Sequence, residues 1–168
     1  MISHHRTRQA EACPTPYSFC YLRSVAPALK VLRLHPSARL PERATPGASG
    51  FDLYAWLPDG EIVLGPDPVR VPTGIAIEFP PGYDAQVRPR SGLSLKGVGV
   101  AFGTIDSDYR GEVLVTMWVF GSRAEHRVRD GDRIAQLVVA QLAELPVMEV
   151  EALTPTPRGA SGHGSTGS

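Results

Sequence analysis

From Leu29 onward the chain never runs far before a proline or a glycine interrupts it. Sixteen prolines and seventeen glycines are spread through the sequence. Proline removes a backbone donor and glycine loses the most entropy in a helix, so long helices have little room. Between the interruptions the apolar residues alternate, as Val69 and Val71, then Ile75, Ile77 and Phe79, then Ala85 and Val87. A period of two marks strands with one buried face. "EVLVTMWVF" (Glu112 to Phe120) is apolar on both faces, which reads as a strand enclosed between two layers, and "RIAQLVVAQL" (Arg133 to Leu142) is nearly so. The expected fold is all-β, two packed sheets, with "SGLSLKG" (Ser91 to Gly97) as the one helical turn between strands.

A chain of 168 residues with 42% hydrophobic content suits one domain with a proper core. Seventeen basic residues cancel seventeen acidic ones, so no global field points to nucleic acid or to an anionic membrane. Any phosphate recognition has to be local. No apolar run approaches the roughly eighteen residues that span a bilayer, and "MISHHRTRQAEACPTPY" lacks the apolar centre of a signal peptide. The expected compartment is the cytoplasm. Cys13 and Cys20 both fall in the leader, so no disulfide framework supports the fold. With His4 and His5 they could supply zinc ligands, but the spacing matches no familiar module. The division expected is a polar, disordered leader over residues 1–28, a β core over 29–151, and a Gly, Ser, Thr and Pro arm over 152–168 that is mobile until something binds.

Five islands carry chemistry. "ASGFDLYA" (Ala48 to Ala55) sets Asp52 in a small, apolar run. A buried, unpaired carboxylate costs several kcal/mol, so Asp52 sits at an edge, pairs with a cation, or faces a positive guest. "PRSGLS" (Pro89 to Ser94) puts an arginine, a serine and a glycine where a strand opens into a turn, and there amides and a guanidinium can converge on an oxyanion. "GTIDSDYRGE" (Gly103 to Glu112) is too acidic for a plain strand. "GDRIAQLV" (Gly131 to Val138) carries Gln136 inside an apolar strand, where its amide needs partners. "RGASGHGSTG" (Arg158 to Gly167) is a glycine-rich tail with an arginine, hydroxyls and one imidazole. Singly, each has a structural explanation: a turn aspartate, solvated arginines, an edge tyrosine, a plain tail.

In order and wording the islands resemble the five motifs of the trimeric dUTPases, over roughly Leu34 to Gly167. The resemblance implies a distorted jelly-roll, or β-clip, subunit in a homotrimer whose active sites are shared between chains. It implies hydrolysis of dUTP to dUMP and pyrophosphate with Mg²⁺, which keeps uracil out of DNA and supplies dUMP for thymidylate synthesis. By the same resemblance Asp106 is the general base that activates water for in-line attack on the α-phosphorus, and Gln136 contacts the α-phosphate region and that water. Arg90, Ser91 and Gly92 bind phosphate oxygens, and Tyr109 packs on the deoxyribose where a 2′-hydroxyl would clash. Asp52 acts on magnesium through bridging waters. Arg158, Gly164, Ser165 and Thr166 close over the phosphates, and His163 stands where the family usually stacks a phenylalanine on uracil.

A second departure concerns "GVGVAF" (Gly97 to Phe102), a short hairpin lacking the asparagine with which the family commonly reads uracil. Gly97, Gly99 and Gly103 would let main-chain groups approach the base instead. The alternatives within the same fold are a dCTP deaminase, whose signature carries a second serine and a further arginine after "RS", a broader pyrimidine triphosphate pyrophosphatase, and a catalytically dead nucleotide-binding protein.

Overall fold

A computed structural model of the protein describes residues 26–160. Ten strands and one short helix occupy that span: β1 Lys30–Arg33, β2 Phe51–Tyr54, β3 Glu61–Leu64, β4 Val69–Glu78, β5 Tyr83–Arg88, α1 Ser91–Ser94, β6 Val98–Val100, β7 Gly103–Ile105, β8 Glu112–Val119, β9 His126–Arg129 and β10 Arg133–Gln141. Two four-stranded sheets run β1-β4-β8-β6 and β2-β10-β5-β7, with β3 and β9 as a separate pair, and every pairing is antiparallel. From β4 to β8 the chain changes sheet at every connection. This is the jelly-roll solution, in which each sheet buries its apolar face against the other.

The expected alternation is present. Val71, Ile75, Ile77, Phe79, Ala85 and Val87 are all buried in one core with Val113, Val115, Met117 and Leu137. In β4 the pattern survives a register shift between Pro72 and Ala76, where Gly74 takes a φ of 68°. A side chain there would be strained and would also meet Trp56 and Ala38.

The strand at Glu112 to Phe120 corrects the sequence expectation. Only Val113, Val115, Met117 and Val119 face the core, whereas Leu114 and Phe120 stay exposed at 37% and 47%. One face of β8 is buried by the second sheet and the other has no second layer within the described residues. Beyond β10, residues 142–160 form no strand, and Leu145, Val147, Met148 and Leu153 are exposed.

Candidate active site

The β2-β10-β5 register sets Asp52, Gln136 and Arg88 side by side across one sheet. Asp52 is only 9% exposed and is paired with cations. Arg90 Nε lies 3.0 Å from its Oδ1, and Arg133 Nη1 donates to its Oδ2 at 3.1 Å. Arg90 comes from the turn after β5 and Arg133 opens β10. The link between them is also direct, because Arg90 Nη1 donates to the Arg133 carbonyl at 2.9 Å. Gln136 meets its need for a partner by donating from Nε2 to the Pro89 carbonyl at 2.9 Å. Gly50 leaves space for it, since a Cβ there would lie 2.6 Å from Gln136 Oε1. One carboxylate against two guanidiniums leaves the group with excess positive charge, which suits anionic oxygens.

Ser91 and Gly92 follow Arg90 on the exposed first turn of α1. The Arg90 carbonyl accepts from the Leu93 and Ser94 amides, at 2.9 and 3.0 Å. The amides of Ser91 and Gly92 lie in the first turn of a helix, where the helix itself supplies no acceptor.

Gly103, Asp106 and Tyr109 come together elsewhere. They line a cavity of about 220 Å³ whose apolar wall includes Val87, Ile105 and Leu114. Asp106 is exposed directly after β7, and the Tyr109 amide donates to its carbonyl at 3.1 Å, closing the turn. Arg110 braces that turn from Nη1 to the carbonyls of Ser107 and Tyr109, at 2.7 and 2.9 Å. The Tyr109 hydroxyl donates to the Glu112 carbonyl at 3.0 Å, in space left open by Gly111.

Within one chain the two groups do not meet. Asp52 and Asp106 are three strands apart in the sheet order and about four residues apart along it. At ordinary strand spacing and rise that is roughly 20 Å. Contrary to the sequence expectation, Gly97 to Phe102 do not form a hairpin. β6 pairs with β8 and β7 with β5, so Ala101 and Phe102 carry the chain from one sheet to the other. Local spacing resembles a hairpin, but partner choice is decided by the rest of the sandwich.

Arg158 is exposed in a turn closed by Gly159 donating to the Thr156 carbonyl at 3.0 Å. His163, Gly164, Ser165 and Thr166 lie outside the described residues. Among the described residues no three His, Cys, Asp or Glu side chains cluster as a metal cage. Asp52 is the one carboxylate of its group, and with both oxygens engaged by Arg90 and Arg133 it would reach a magnesium ion only through the waters of an ion carried in by substrate phosphates. Sequence reasoning missed Arg133. Its signal was a charge opening an apolar strand inside a quoted motif, but the partner lies 81 residues away.

Nearby, burial and the Glu42 partner of its hydroxyl push the Tyr54 pKa upward, so Tyr54 remains a donor to Glu42. Among the described residues no helix is long and apolar enough to cross a membrane.

A family model described as dUTPase matches residues 37–167. A deoxyuridine 5′-triphosphate nucleotidohydrolase of Caulobacter vibrioides is 53% identical over 133 residues, covering 76% of this chain and 85% of that protein. Among solved structures, the Staphylococcus bacteriophage 80alpha dUTPase with dUPNHPP is 26% identical with a TM-score of 0.74, covering 84% of this chain and 99% of that one. An aspartate-to-asparagine mutant of the dUTPase from S. aureus phage phi11, described with a structural Mg(II) ion, shares the fold at 23% identity and a TM-score of 0.66, covering 76% and 99%.

Proposed function

The chain belongs to the dUTPase family and hydrolyses dUTP to dUMP and pyrophosphate, and we propose that it does so at a site shared between the subunits of a homotrimer. Asp106 of one subunit takes the proton of a water aligned on the α-phosphorus, and Gln136 of a neighbour orients that water and the α-phosphate. Arg90, with the amides of Ser91 and Gly92, holds phosphate oxygens. Gly103 and Tyr109 border the nucleoside cavity, and the Tyr109 ring leaves no room for a 2′-hydroxyl. Arg158, His163, Gly164, Ser165 and Thr166 close over the bound triphosphate and exclude bulk water. Asp52 would hold Mg²⁺ through its waters. When bound, that ion would supply charge neutralisation on the phosphates.

The observation that carries the shared site is the separation of roughly 20 Å between Asp52 and Asp106 within one chain, too far for one water and one phosphate to touch both groups. The exposed outer face of β8 and the apolar residues from Leu145 to Leu153 support an assembly that covers them. The compartment for this activity is the cytoplasm, where its deoxynucleotide substrate is made and used. Release of pyrophosphate from dUTP, with Mg²⁺ present and then chelated, tests the reading. Ammonia release from dCTP would indicate deaminase chemistry instead.

A further inference from the structure

We propose that Asp52 is a positioning residue for the Arg90 guanidinium, itself held by Arg133, and that it serves phosphate binding even without metal. This rests on the reading of Arg90 as a phosphate ligand. An arginine offers five N–H donors in a rigid plane, so an ion pair on one edge and a hydrogen bond on another fix where the others point. Here Nε is ion-paired with Asp52 Oδ1, 3.0 Å away, and Nη1 donates to the Arg133 carbonyl at 2.9 Å. Nη2 remains for a ligand.

The anchors have supports of their own. Asp52 is buried and held in β2 by the β10 register, with its amide donating to the Glu42 carbonyl at 2.8 Å. Arg133 binds its second oxygen at 3.1 Å and balances its charge. Without Arg133, Asp52 would cancel Arg90 one for one. With it, the group keeps a net positive charge while Arg90 stays oriented. The side chain of Arg133 is half exposed and that of Arg90 is one-quarter exposed, so the outer arginine can be changed without opening the core.

The test is equilibrium binding of dUTP to the full-length protein in excess EDTA and again with Mg²⁺, with deoxyuridine as the phosphate-free control. Asp52→Asn should weaken metal-free dUTP binding roughly 10- to 100-fold and leave deoxyuridine binding unchanged. Arg133→Gln should do the same more mildly, Arg133→Lys should restore part of the loss, and the double variant Asp52→Asn/Arg133→Gln should be no worse than Asp52→Asn alone. If Asp52→Asn weakens binding only when Mg²⁺ is present, the proposal is overturned and Asp52 serves the ion alone. Arg90→Gln separates the two layers of the argument. Loss of metal-free binding there, with Arg133→Gln and Asp52→Asn both unaffected, refutes positioning only. No loss there removes the phosphate ligand and overturns both. Arg133→Gln, on an exposed side chain, keeps the test open should Asp52→Asn fail to fold.

Discussion

Gly50 and Gln136 occupy what would otherwise be one space. A methyl group on Gly50 would lie 2.6 Å from Gln136 Oε1 and 3.1 Å from its Cβ. Gly50 is part of the same island as Asp52, so one short segment supplies the carboxylate that anchors Arg90 and the gap into which the Gln136 amide fits. Gly50→Ala should therefore swing Gln136 away from the Pro89 carbonyl and cost about 1–3 kcal/mol of stability through overpacking. The larger effect falls on kcat, because misplacing a reacting group by about 1 Å can cost on the order of 100-fold. Steady-state kinetics beside denaturant melts separate the two effects. Unchanged kcat would show that the Gln136 position is not critical.

Gly111 does for Tyr109 what Gly50 does for Gln136. An added Cβ would overlap the Tyr109 hydroxyl and lie 2.6 Å from Cζ, displacing a ring held by the hydrogen bond to Glu112. Gly111→Ala should reduce the preference for dUTP over UTP roughly tenfold, read as the ratio of the two kcat/KM values. An unchanged ratio would mean that the sugar is read elsewhere.

Much of the fold is legible in the sequence, because alternation at Val69 to Val87 depends on local geometry alone. The face exposed by β8 is not, since Leu114 and Phe120 have the composition of buried residues and the second layer that would cover them is not local. The islands name most of the site in the same way. The ion pairs that organise it join Asp52 to residues 38 and 81 positions away, from Arg90 and Arg133. Only the sheet register brings those together. The apparent hairpin at Gly97 to Phe102 failed for the same reason, its two strands having each found a different partner.

His126 makes stability depend on pH. Burial, then the neighbouring Arg123 guanidinium and more weakly Lys96, hold its imidazole below the ordinary 6.5, with Asp132 opposing them. The unfolded chain therefore takes up the proton first. The contribution of His126 to stability is complete above about pH 6.5 and is lost as pH falls through the folded value. Denaturation midpoints between pH 7.5 and 5 should fall toward acid, and His126→Gln should flatten that part of the curve. An equal slope in both proteins would contradict the assignment.

Base selectivity is expected to survive the short β6 to β7 connection. Main-chain groups can distinguish the donor and acceptor pattern of uracil from that of cytosine, and close approach at Gly103 excludes the thymine methyl. The kcat/KM values for dCTP and dTTP should lie far below that for dUTP. Values within about tenfold would make this a broader pyrimidine triphosphate pyrophosphatase.

The shared site is tested most directly by complementation. Asp106→Asn should lower kcat by roughly 10²–10⁴-fold with dUTP affinity nearly intact, and Arg90→Gln should be inactive through lost phosphate binding. When the two variants are co-expressed with different tags and the mixed trimers isolated, some sites combine an intact Asp106 from one chain with an intact Arg90 from another. In every mixed trimer that is one site of the three, or about one third. Pyrophosphate release from dUTP should then recover to about that fraction of the unmodified enzyme. Mixed trimers no more active than the two parent variants would contradict the account, and would place Asp106 and Arg90 in the site of a single chain.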